Sequence, residues 1–117
     1  MGNLTTHVLD THSGMPAGGI RIELREITSV GSQLLGIHVT ADNGRCAEPL
    51  LRDERLRRGR YELTFFVADY FRGRNVSLPD PAFVEAAIVR IGIAHPDQHY
   101  HVPLLITPWS YSVYRGG

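Results

Sequence analysis

Ile20-Arg21-Ile22-Glu23-Leu24-Arg25 alternates an apolar with a charged residue at every step. A period of two sends successive side chains to opposite faces of an extended chain, so this run reads as a strand with one buried and one wetted face. The period recurs in Leu35, Ile37 and Val39, in Tyr61, Leu63, Phe65 and Val67, and in Ala87, Val89, Ile91 and Ile93. In each run these apolar residues are expected to face the core, and Phe66 makes the third run apolar on both sides. Turn chemistry separates the runs at Ser13-Gly14-Met15-Pro16, Gly31-Ser32, Asp42-Asn43-Gly44 and His95-Pro96-Asp97. Short strands at this spacing predict an all-β sandwich or barrel. One short helix, about Ala68 to Asn75, is expected before the breaker Pro79-Asp80-Pro81. The segments Leu4 to Asp10 and His99 to Ile106 add strands near the two ends of the chain.

The composition bounds what such a sandwich does. Its 117 residues suit a single domain over 1–117, and a domain this small buries only about two-thirds of its unfolded surface, so association would help it. Twelve cations, all arginine, balance 12 acidic residues at a pI near 7.0, which argues against binding nucleic acid or another polyanion. Arginines 52, 55, 57, 58 and 60 cluster without interleaved aromatic residues and read as a solvated loop. No apolar run approaches the ~20 residues of a membrane-spanning helix, and Met1 to Asp10 has no leader pattern. A cytoplasmic protein is therefore expected. Cys46 is the only cysteine; it excludes an intrachain disulfide, suits a reducing compartment, and reads as a buried, inert thiol.

The histidines carry the chemistry. His99 and His101 lie two residues apart and hence on one face of a strand, while His7 sits among β-formers at the other end of the chain. Three readings stand side by side. His99 and His101 with His7 or His95 make a three-nitrogen metal site, although no carboxylate or thiol stands at a recognised ligand spacing. Alternatively the imidazoles do general acid–base work beside an arginine that offsets negative charge. Or each is a half-buried strand residue bonded to backbone. Arg45 leaves the Asp42-Asn43-Gly44 turn either as a solvated rim charge or as a fork for a planar anion or carbonyl.

Longer stretches carry a resemblance. Thr6-His7-Val8-Leu9-Asp10 with Gly14, Pro16 and Ala17, then Thr40-Ala41-Asp42-Asn43-Gly44-Arg45, then Gly59-Arg60-Tyr61-Glu62-Leu63 with Asp69-Tyr70-Phe71 belong to one pattern. The most specific pieces are His99-Tyr100-His101-Val102-Pro103-Leu104-Leu105 and Tyr111-Ser112-Val113-Tyr114-Arg115-Gly116. Nearly end to end, the chain resembles the 5-hydroxyisourate hydrolases, the enzymatic branch of the transthyretin-like family.

The resemblance implies an all-β, transthyretin-type eight-stranded β-sandwich with one short helix, assembled as a homotetramer from two strand-paired dimers around a channel holding the active sites. It implies hydrolysis of 5-hydroxyisourate to 2-oxo-4-hydroxy-4-carboxy-5-ureidoimidazoline in urate breakdown, without cofactor or metal. Carried over position by position, the catalytic set falls on His7, Arg45 and His101. Tyr114, Arg115, Gly116 and Gly117 close the substrate pocket, with His99 and Ser112 in support. One position departs from the pattern: the family's tail usually ends Tyr-Arg-Gly-Ser, and here Gly117 lacks the hydroxyl. Activity is expected to survive, with water, Ser112 or Thr107 standing in. The alternatives are a non-enzymatic transthyretin-like carrier of a hydrophobic small molecule and a purely structural sandwich, and paired imidazoles count against both.

Overall fold

A computed structural model describes residues 2–117. The runs of period two become strands in two sheets. One sheet holds β3 (Arg21–Thr28), β4 (Gly31–Val39), β6 (Gly59–Phe65) and β7 (Ala87–Ile93) in the order β4-β3-β6-β7, every neighbour antiparallel. The other holds β1 (Asn3–Asp10), β2 (Met15–Pro16), β8 (Tyr100–Ile106) and β9 (Tyr111–Val113) in the order β2-β1-β8-β9, with β5 (Leu51–Arg52) also pairing β1. The transthyretin-type sandwich is the fold observed. Its strand segments number nine among the described residues, against the eight that the resemblance implies, and two of the nine, β2 and β5, are two-residue pairings.

Burial follows the alternation. Ile22 and Leu24 of β3, Leu63 and Phe65 of β6, Val8 of β1 and Leu104 of β8 are wholly buried between the sheets, each contributing roughly 1.5–3 kcal/mol. Helix α1 (Val67–Gly73) starts one residue earlier and ends two earlier than the expected span. Arg74 caps it and Asn75 takes a positive φ of 62°, which ends the helical path. The helix turns Val67, Ala68, Tyr70 and Phe71 inward. None of the helices among the described residues is long and apolar enough to cross a membrane.

One expected face is reversed. Leu35, Ile37 and Val39 are exposed, and Gly36 and His38 take the inward positions of β4. The reason is register: His38 stands opposite buried Ile22 and Gly36 opposite buried Leu24, so Ile37 and Val39 share the outer face with their partners Glu23 and Arg21. Periodicity separates two faces of an edge strand, but the central strand beside it decides which one turns inward. The turn before β4 also falls at Ser29 and Val30, two residues ahead of the expected Gly31-Ser32, with Gly31 at φ 133° opening the strand.

Candidate active site

The site grows from the parallel pairing of β1 with β8, which joins residues from opposite ends of the chain. Thr5 stands opposite His101 and His7 opposite Pro103. Even-numbered residues of both strands are buried between the sheets, so Thr5, His7 and His101 share the outer face of this sheet.

Arg45 reaches that face through a tight turn. The Gly44 N–H donates to the Ala41 carbonyl at 2.8 Å, and the Val8 N–H donates to the Gly44 carbonyl at 2.9 Å, laying the turn along β1. His7 and Arg45 then form an isolated antiparallel bridge. Gly44 has φ 79°, a left-handed conformation that glycine adopts without strain. It is also the only size that fits, since a Cβ there would run into the Val8 carbonyl and stand 3.1 Å from Cδ2 of His7. Arg45 is exposed, and no ion pair among the described residues occupies its guanidinium.

Each imidazole has one nitrogen fixed. Nε2 of His7 lies 2.9 Å from the Asn43 carbonyl, which can only accept, so Nε2 carries the proton and Nδ1 of the neutral ring keeps its lone pair. Nδ1 of His101 lies 2.8 Å from the Thr5 hydroxyl, leaving Nε2 free. Burial, then the positive charge of Arg45, then His7 hold the His101 pKa below its ordinary 6.5. A neutral imidazole beside an unpaired guanidinium is suited to deprotonating water while the cation stabilises an oxyanion.

The tail meets this face from β9. Ser112 stands opposite Leu105, and Gly116 bridges His101, its N–H donating to the His101 carbonyl at 2.8 Å. Tyr114 lies between them on the same face and is exposed. Gly117 has open space around its Cα. Arg115 turns the other way: its guanidinium sits 4.2 Å from the centre of the Tyr100 ring, and Tyr100 is buried on the opposite face of β8 from His101. His99 is one pleat from His101 and accepts the Asn3 N–H at 3.2 Å through Nδ1. Ser112 makes no side-chain hydrogen bond among the described residues. No group of three or more His, Cys, Asp or Glu among the described residues is placed to hold a metal ion. Cys46, next to Arg45, is half-buried, and burial pushes its thiol pKa up.

Thr5 and the Asn43 carbonyl are the parts that sequence reasoning does not find. Thr5 is separated from His101 by 96 positions, and only the β1–β8 register brings them together.

Known proteins sharpen the picture. A family model described as the HIUase/Transthyretin family matches residues 4–116. A 5-hydroxyisourate hydrolase of Ralstonia nicotianae is 52% identical over 116 residues, 99% of each chain. Among solved structures, a 5-hydroxyisourate hydrolase of Klebsiella pneumoniae is 30% identical with a TM-score of 0.83, covering 100% of both chains. A sea bream transthyretin solved in complex with thyroxine is 28% identical with a TM-score of 0.86, covering 97% of this chain and 94% of that one. Fold likeness is thus shared by an enzyme and a hormone-binding protein, whereas the higher identity lies with a hydrolase. The chain belongs to the HIUase/transthyretin family.

Proposed function

We infer that this chain is a 5-hydroxyisourate hydrolase, the activity for which its relative at 52% identity is named. The observation that carries this reading is the convergence of His7, Arg45 and His101 on one face, with a bridge joining the first two and the positive charge of Arg45 felt at His101. A carrier of an apolar ligand has no use for two imidazoles and an unpaired guanidinium, and the hormone-binding relative is the more distant at 28% identity.

The chemistry follows from the atoms. His101 Nε2, left free by the Nδ1 contact with the Thr5 hydroxyl, takes a proton from water as the water oxygen attacks a ring carbonyl of the substrate. Arg45 holds the planar ring and neutralises the carbonyl oxygen as it becomes an oxyanion. The C–N bond then breaks, the ring nitrogen takes up a proton, and the carbonyl carbon leaves as carboxylate. His7, with Nε2–H committed to the Asn43 carbonyl, relays protons through Nδ1. Tyr114 and Gly116 close the pocket, and no cofactor enters the scheme.

The assembly we propose with it is a homotetramer, a dimer of dimers. The free edges of β7 and β9, the exposed side chains of Ile88, Trp109, Tyr111 and Val113, and the open position of Arg45 in a lone chain support it. Four copies around a channel would turn an open face into an enclosed pocket. A cytoplasmic location suits the single thiol, which has no partner in the chain for a disulfide.

The test is direct. 5-Hydroxyisourate generated with urate oxidase decays measurably faster with the protein than without it, and His7→Ala and Arg45→Ala each abolish the acceleration. An inactive wild-type chain, or variants as active as wild type, would remove the reading. Native mass spectrometry is expected to give four copies.

A further inference from the structure

Arg115 lies between two residues that face the site, Tyr114 and Gly116, yet its own side chain is committed elsewhere. Its guanidinium stacks over the Tyr100 ring at 4.2 Å, and Nη2 donates to Oε1 of Gln98 at 3.2 Å and to the His99 carbonyl at 2.9 Å. Tyr100 is a fixed platform: it is buried, and its hydroxyl accepts the His95 N–H at 3.0 Å. One residue further on, Gly116 lies so close to the catalytic imidazole that an added Cβ would stand 2.6 Å from Cδ2 of His101. β9 itself ends at Val113; beyond it, among the described residues, the Gly116 bridge to His101 and the Arg115 contacts with Gln98, His99 and Tyr100 fasten the tail.

We infer that Arg115 is a positioning residue that locks the tail onto Tyr100, Gln98 and His99, so that Gly116 seats against the His101 ring and fixes its orientation without Arg115 touching the substrate. The inference rests on the hydrolase reading above. Its physical ground is the shape of the guanidinium, whose face stacks on an aromatic ring while its edge serves two acceptors, a combination the ammonium of lysine lacks. Chain ends fray unless tied down. With the lock gone, Gly116 lifts and the wall that confines the imidazole on the side away from Thr5 is lost. Misplacing a catalytic group slows the chemical step more than it weakens ground-state binding.

The test uses full-length Arg115→Ala and Arg115→Lys. For the alanine variant kcat is expected to fall about 10- to 100-fold with KM within about twofold of wild type, and lysine restores part of the loss. Amide hydrogen exchange at Gly116 is expected to quicken at least about tenfold in the alanine variant, while the Val8 amide, bonded to Gly44 in the adjoining turn, keeps its protection. A raised KM with unchanged kcat would place Arg115 on the substrate and overturn the inference. Unchanged kcat, or unchanged exchange at Gly116, overturns it too. Should the wild-type chain fail to accelerate 5-hydroxyisourate decay, the hydrolase reading falls, whereas the exchange measurement still decides whether Arg115 locks the tail.

Discussion

The Thr5 hydroxyl lies 2.8 Å from Nδ1 of His101, across the parallel strand pair that unites the two ends of the chain. That contact occupies Nδ1 and leaves Nε2 of His101 open. Thr5→Val keeps the shape and removes the partner. A hydrogen bond of this kind contributes about 0.5–1.5 kcal/mol, so kcat is expected to fall roughly 2- to 13-fold, while Thr5→Ser stays near wild type. Steady-state kinetics on both variants, with thermal unfolding as a control for folding, checks it.

Gly44 carries a second prediction, because backbone and side-chain constraints coincide there. Its φ of 79° disfavours any side chain, and a Cβ would press on the Val8 carbonyl and the His7 ring. Gly14 has nearly the same φ, 80°, but open space around it. Gly14→Ala therefore tests backbone strain alone, about 1 kcal/mol. Gly44→Ala adds the clash and is expected to cost roughly 2–4 kcal/mol and to lower activity by displacing His7. Denaturant unfolding of the two variants side by side measures the difference.

These two sites mark what a sequence discloses about this fold. Gly44 is legible because Asp42-Asn43-Gly44 is turn chemistry written in neighbouring residues. Thr5 is not, since its partner is set by a register between distant strands. The same divide runs through the sheets. Alternation locates β3, β6 and β7, yet for edge strand β4 it assigns Leu35, Ile37 and Val39 to the core, and the pairing of His38 and Gly36 with Ile22 and Leu24 turns them to the surface. In the tail the motif is legible but its phase is not. Consecutive residues of an extended chain face opposite ways, and the Arg115 guanidinium goes to the Tyr100 ring on the far side of β8 from His101.

The last two residues of the tail should respond in opposite senses to a small side chain. At Gly116 an added Cβ meets Cδ2 of His101 at 2.6 Å and Cγ of Pro103 at 3.1 Å. Gly116→Ala must push the tail off or rotate the imidazole, and kcat is expected to drop at least about tenfold with little change in Tm, since the site is at the surface. Gly117 has nothing within 4 Å of an added Cβ. Gly117→Ser, which supplies the hydroxyl usual in the family, is expected to alter activity less than about tenfold. A rise of orders of magnitude would show that the chain lacks an essential group.

The pH dependence follows from the sign of one shift. Burial, Arg45 and His7 all lower the His101 pKa beneath 6.5, so the ring stays neutral and able to accept a proton as pH drops through that value. The acid limb of kcat/KM is therefore expected below 6.5. Arg45→Gln removes the largest charge acting on the ring, and the His101 midpoint, followed by NMR of the imidazole, is expected to rise toward 6.5. Stability carries the same sign. Below 6.5 the unfolded chain takes up a proton at this position before the folded chain does, so stability falls with pH until the folded pKa is also passed. His38, whose pKa burial likewise lowers, adds to that fall. Replacing His101 by Asn should flatten part of the stability decline between pH 6.5 and the folded midpoint, and unfolding curves across that window measure how much.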